Sequence, residues 1–220
     1  MPTILITGAN RGIGKALCDA YLADGWSVLA ACRDPATAPQ GATALTLDIG
    51  NEASIDTLVS SLEDKPIDIL WNNAGIYADK GKSLDENTFA DWERSFRINT
   101  AGPIRLASLL RRNVADSGRK TMAFTTSNMG SIANNTGGSY LYRTSKTALN
   151  MAVDCLTKEL ASEGIKTVML HPGWVRTEMG GDSADIDTKA SAGGMKNIVD
   201  KLPASQSGAF LNYDGKPLPW

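Results

Sequence analysis

At 220 residues, with 42% hydrophobic and 21% charged side chains, the chain has the make-up of one soluble domain able to bury a sizeable core. Its formal net charge of −2, without a long run of like charges, gives no footing to nucleic acid or an anionic membrane as partner. Three widely spaced cysteines (Cys18, Cys32, Cys155) and one histidine, His171, argue against a disulfide framework, a metal site and a Ser-His-acid triad.

Short apolar runs alternate with longer helical patterns. A first strand over 3–7 leads through Gly8, Gly12 and Gly14 into a helix over 13–23, which Asp24-Gly25 ends. Strands over 27–31 and 42–47, a helix over 53–62 and a fourth strand over 67–71 follow. Next come a long helix over 89–110, a strand over 122–126, a helix over 141–160 ended by Glu163-Gly164, and strands over 166–170 and 209–213. The stretch 179–192, rich in Gly, Asp and Ser, interrupts the alternation and reads as a mobile flap. The pattern predicts one α/β domain over 1–220: a Rossmann-type, doubly wound, mostly parallel seven-stranded sheet with helices on both faces. Strand-like residues from Thr3 onward leave no room for a cleaved leader, and no apolar run nears the roughly 18 residues of a membrane span. The expected location is the cytoplasm.

Two features carry chemistry. The first strand runs into Thr7-Gly8-Ala9-Asn10-Arg11-Gly12-Ile13-Gly14, so the glycines fall at a strand-to-helix turn. There a backbone without Cβ atoms can approach a pyrophosphate held by the free N–H groups of the helix start, although glycines serving only a tight turn remain the alternative. Far downstream, Tyr142 and Lys146 are four residues apart on an expected helix and share a face. A free phenol has a pKa of about 10, which a nearby ammonium lowers, so the spacing predicts a tyrosine able to exchange protons. Tyr140, six residues from Lys146, points to another face. Arg33 follows the second strand about twenty residues past the glycine turn, where an acidic residue would select NAD. Its planar fork of donors, with Arg11 nearby, suits a 2′-phosphate and favours NADP(H) over NAD(H), unless both arginines are only solvated surface charges.

The spacing of Gly8, Gly12 and Gly14, with Asn72-Asn73-Ala74-Gly75 and Tyr142-x-x-x-Lys146, resembles the short-chain dehydrogenase/reductase family over nearly the whole chain. Gly130-Ser131-Ile132, Tyr142-Arg143-Thr144-Ser145-Lys146, His171-Pro172-Gly173-Trp174-Val175, and Tyr213-Asp214-Gly215 with Trp220 are similar to its C-factor and sniffer-type carbonyl reductases. The resemblance implies an oxidoreductase that passes a hydride between NADP(H) and a carbonyl or alcohol. Tyr142 would act as proton donor and acceptor, Lys146 as its partner and nicotinamide-ribose ligand, and Ser127 as hydrogen-bond donor to the substrate oxygen, with Ser131 its rival beyond Gly130. Asn99 would hold a relay water on its backbone carbonyl; a polar residue packing within the helix is the open alternative.

For the cofactor, the resemblance implies contacts from Gly8, Asn10, Arg11, Gly12, Ile13 and Gly14, from Arg33, Asp48 and Ile49 at the adenosine, and from Asn73, Ala74 and Gly75. Tyr142, Lys146, Pro172, Gly173, Val175 and Thr177 would serve the nicotinamide end. The interval from Ser127 to Tyr142 exceeds the commonest family spacing, and 134–138 is the expected insertion. Met129, Ile132, Tyr77, Trp174 and Met179 are candidates for an apolar substrate pocket or for ordinary core and surface. A homodimer or homotetramer through the helices over 89–110 and 141–160 is compatible with the resemblance, as is a monomer. So is a nucleotide-sensing or signalling protein with little turnover.

Overall fold

The computed structural model describes residues 1–220. Its seven strands are β1 (Thr3–Thr7), β2 (Ser27–Cys32), β3 (Thr43–Thr46), β4 (Ile69–Asn72), β5 (Thr121–Thr125), β6 (Lys166–His171) and β7 (Ala209–Asn212). They form one sheet in the order β3-β2-β1-β4-β5-β6-β7, with every neighbouring pair parallel. All seven lie where the sequence places them, with ends shifted by no more than two residues. This is the doubly wound Rossmann-type fold, and the strand order reverses between β1 and β4, the position where such sheets open a crevice.

The helices are α1 (Gly12–Ala23), α2 (Glu52–Leu62), α3 (Phe89–Phe96), α4 (Gly102–Leu109), α5 (Arg111–Ala115), α6 (Tyr140–Leu160) and α7 (Thr188–Lys201). They cover both faces, so central strands such as β1 are buried on both sides and read as continuous apolar runs. Alternate residues feed two cores. Leu5, Leu70, Phe124 and Met169 pack on one face with residues of α2, α4 and α6, while Ile4, Ile6, Trp71 and Val168 meet α1 and α7 on the other. No helix is long and apolar enough to cross a membrane.

Two expectations need correction. The single helix over 89–110 is interrupted by a π-helical turn, Arg97–Ala101, between α3 and α4. Pro103 follows: it has no N–H, so the donor that a regular helix would offer to the carbonyl of Asn99 is missing. Gly102 is also required here, since a Cβ would stand 2.1 Å from the Ile49 carbonyl oxygen. The flap over 179–192 is shorter than expected, because 188–192 already belong to α7, capped by Asp187 accepting from Ala190 N–H at 2.7 Å. Gly193 and Gly194 weaken the helical signal of α7, yet a Cβ at 194 would collide with the Tyr213 carbonyl at 2.4 Å.

Candidate active site

At the β1/β4 crevice two strand ends are stitched together. Thr7 Oγ1 accepts from the N–H groups of Asn73 and Ala74, each at 3.0 Å. The Asn73 side-chain amide donates to the carbonyls of Thr7 at 3.1 Å and Gly8 at 3.4 Å. Gly8 has φ +64 and lies so close to β4 that a Cβ would be 3.0 Å from the Ala74 Cα. Gly14 is tighter still, with a Cβ falling 2.1 Å from the Gly8 carbonyl oxygen and 2.7 Å from Asn73 Nδ2. Helix α1 therefore starts hard against the end of β1, and Arg11 at its N-cap makes no side-chain cap. The first-turn amides, with their partial positive charge, are left to a ligand.

A cleft of about 1070 Å³ runs along this edge. It is lined by Gly8, Asn10, Arg11, Gly12, Ile13 and Gly14, then by Arg33, Asp48 and Ile49 at one end and Asn73, Ala74 and Gly75 at its centre. Tyr142, Lys146, Pro172 and Thr177 line the other end, so the expected nucleotide and catalytic residues share one surface. Its size suits a dinucleotide rather than a small fragment. Asp34 lines the cleft beside Arg33 and accepts from Ala36 N–H at 3.0 Å. Arg11 pairs with Glu178 across the cleft. Asp48 Oδ1 accepts from Gly50 N–H at 2.9 Å. Glycines that admit close backbone approach and arginines at the adenosine end fit NADP(H).

At the catalytic end, Lys146 is buried and its Nζ donates to the Thr125 carbonyl at 3.0 Å, lying 5.9 Å from the Tyr142 ring centre. Burial holds this ammonium down to about 8. Gly75 makes room for it, as a Cβ there would approach Nζ to 3.4 Å. The Tyr142 phenol departs from the expectation of a lowered pKa. Burial pushes it up to about 12, a hydrogen bond from the Ser127 side chain pulls it down, and Tyr77 adds a small rise. Desolvation sets the direction, outweighing the contribution of Ser127.

Four expected residues stand back from the cleft wall: Asn99, Ser127, Gly173 and Val175. Ser127 still reaches Tyr142, while its Oγ accepts from Met129 N–H at 3.1 Å. Its rival Ser131 is buried and holds Asn134 N–H at 3.1 Å. The Asn99 side chain is fully buried; it accepts from Ile76 N–H at 2.8 Å and donates to the Ile76 carbonyl at 2.9 Å and Ser145 Oγ at 3.0 Å. Gly173 has φ +82 and lies against Tyr213 and Ile186, and Val175 bridges to Ile186. Both shape the segment that presents Pro172 and Thr177.

Of the suggested pocket residues, Tyr77 and Met179 line the cleft. Ile132 does not: it lies beside Met151 and Trp220 in a separate pocket of about 250 Å³. Trp174 is half exposed, its Nε1 donating to the Gly180 carbonyl at 3.0 Å. Sequence reasoning missed Lys80, Arg94 and Thr125 in the wall, and it missed Asp79, a buried carboxylate facing the start of α6. No motif marks them.

The sequence matches the short chain dehydrogenase family over residues 2–187. It is 44% identical over 156 residues to C-signal of Myxococcus xanthus, covering 70% of this chain and 93% of that protein. The carbonyl reductase Sniffer of D. melanogaster superposes over 100% of both chains with a TM-score of 0.91 and 36% identity. An NADPH-bound carbonyl reductase from chicken fatty liver does so over 100% of this chain and 99% of its own, with a TM-score of 0.89 and 31% identity. These likenesses bear out the resemblance to C-factor and sniffer-type proteins that the motifs imply. With a Rossmann-type sheet, a glycine turn at its switch point and a Tyr-x-x-x-Lys pair across the cleft, the chain belongs to the short-chain dehydrogenase family.

Proposed function

We propose that the protein is an NADP(H)-dependent carbonyl reductase. The observation that carries this reading is the placing of Tyr142, half-buried, and Lys146, buried, on the same cleft as the glycine turn and Arg33. That a relative of the same fold is described as an NADPH-bound carbonyl reductase supports it. The amides at the start of α1 would hold the pyrophosphate, Arg33 and Arg11 the 2′-phosphate, Asp48 the adenine, and Thr177 and Lys146 the nicotinamide half. The bound cofactor supplies the hydride.

Tyr142 gives its proton to the carbonyl oxygen. A phenol raised to about 12 stays protonated at neutral pH, which suits reduction better than oxidation. Ser127 supplies a second hydrogen bond to the oxygen as negative charge develops there. Lys146, held near 8, is the group of the pair tuned to exchange a proton with solvent. The Asn99 carbonyl, which loses its regular helical donor at Pro103, would hold a water on that route.

Fluorescence titration with NADPH and NADH, followed by a panel of aldehydes, ketones and quinones, tests the reading. NADPH should bind more tightly and be oxidised only when a carbonyl is present. Tyr142→Phe should lower kcat by about 10² to 10⁴ while leaving NADPH affinity within twofold. Full turnover in that variant would overturn the role given to the tyrosine. A second reading, a signalling protein that uses the nucleotide site with little turnover, is favoured by the likeness to C-signal. Tight NADPH binding without turnover on any panel member would select it.

A further inference from the structure

The start of α6 lacks the cap that a helix normally provides for itself. Ser139 occupies the N-cap position with φ +50, in the left-handed region, and makes no cap bond. An N-cap side chain reaches the N–H groups of the first turn from extended backbone, so Ser139 is in the wrong conformation for the task. Its hydroxyl instead pairs with the Tyr77 hydroxyl. Two amides of the first turn are nevertheless satisfied. Asp79 Oδ2 accepts from Leu141 N–H at 2.8 Å and Oδ1 from Tyr142 N–H at 3.2 Å, from positions 62 and 63 residues away in sequence. The carboxylate is 1% exposed. A charge buried so completely is tolerated because two donors and the positive end of a 21-residue helix face it.

The same short loop grips Tyr142 a second time. The Tyr77 ring stacks on the Tyr142 ring, with centroids 4.3 Å apart and planes 18° from parallel. The loop is itself anchored at both ends: Ile76 is held through its N–H and carbonyl by the Asn99 side chain, and Lys80 Nζ donates to the Met179 carbonyl at 2.8 Å. Tyr142 is therefore fixed through its main chain by Asp79 and through its ring by Tyr77. Lys146, one turn deeper, is held independently by the Thr125 carbonyl.

We propose that Asp79 is a positioning residue for Tyr142, capping the catalytic helix from a remote loop and setting where the phenol points. The proposal rests on Tyr142 being the proton donor. Removing the cap frays the first turn of α6, and misplacing a reacting group by about 1 Å can cost about 10² in rate. Because Lys146 has its own anchor, the loss falls on kcat rather than on cofactor binding.

The test uses the full-length protein with Asp79→Asn, which keeps one oxygen acceptor, and Asp79→Ala, which keeps none. Amide hydrogen exchange at Leu141 and Tyr142 should quicken at least tenfold in Asp79→Ala, with Asp79→Asn between it and the wild type. In turnover, kcat should fall about 10- to 100-fold in Asp79→Ala and less in Asp79→Asn, while NADPH Kd and the KM for the carbonyl stay within threefold. Unchanged exchange would overturn the cap. Faster exchange with unchanged kcat, or equal losses in kcat and NADPH affinity, would overturn the positioning role. If the wild type shows no turnover, the reductase reading fails and the positioning role falls with it; the exchange arm then still reports whether Asp79 caps α6.

Discussion

The two ends of the cleft are built by opposite means. At the glycine end, precision comes from missing atoms: Gly8 and Gly14 let backbone meet backbone at distances that leave no room for a Cβ. At the tyrosine end, it comes from added atoms, since Asp79, Tyr77 and Asn99 reach across the fold to hold one phenol and the loop beside it. The first arrangement is rigid because nothing can be inserted, the second because several weak contacts agree. A single methyl group should therefore damage the glycine end, whereas the tyrosine end should yield by degrees.

The sharpest way to break this contrast is Gly14→Ala. Its Cβ would overlap the Gly8 carbonyl oxygen, a backbone atom, and Asn73 Nδ2, a side-chain end pinned to the carbonyls of Thr7 and Gly8. Thermal and urea unfolding should show a loss of about 3 kcal/mol or more, together with loss of NADPH binding. Wild-type stability with normal affinity would mean that the turn has slack, and the contrast would collapse.

A second effect belongs to the far end of β6, where His171 is held down to about 4 by burial and its Nδ1 is buried without a partner. An unfolded histidine titrates near 6.5, so between about 6.5 and 4 the unfolded chain binds more protons than the folded one. Stability should fall as pH drops through that window, by up to about 3 kcal/mol. His171→Gln should flatten urea-unfolding stability measured between pH 4 and 7. Identical pH curves for the two proteins would show that some other group controls the acid limit.

The smallest expected change is at the adenosine end. Arg33→Ala should weaken NADPH about tenfold and NADH less than twofold, as expected for the loss of one charge-assisted contact. Equal losses for both nucleotides, measured by titration, would remove Arg33 as the residue that selects the phosphate.

The contrast also explains what could be read from the chain. Strands such as β1, β4 and β5 were legible because a sheet covered on both faces demands apolar runs, and the glycine turn was legible because a missing Cβ is written directly as Gly. Tyr142 and Lys146 could be paired because helical spacing is local. Asp79 could not be found this way, since an acceptor that caps a helix 62 residues ahead leaves no periodicity and looks like any surface aspartate. The lowered phenol pKa was misjudged for a related reason: i,i+4 spacing gives proximity, but burial acts on both partners and depends on the rest of the fold. The break at 97–101 had a sign in Pro103, outweighed by apolar residues at helical spacing on either side. Helix α7 was hidden by Gly193 and Gly194, of which packing against Tyr213 requires the second.

The strand order has a consequence for how the protein is made. β2 and β3 extend the sheet on one side of β1, and β4, β5, β6 and β7 then join the other side in the order in which a ribosome delivers them. No strand must be inserted between two that are already paired, and each arrival finds a free edge waiting, β4 at the open edge of β1 included. The β1/β4 end of the nucleotide crevice is thus in place once Asn73 has emerged, well before Tyr142 is translated. Vectorial synthesis, N-terminal elements first, lays down the adenosine and pyrophosphate half of the cofactor site ahead of the residues that act on the substrate.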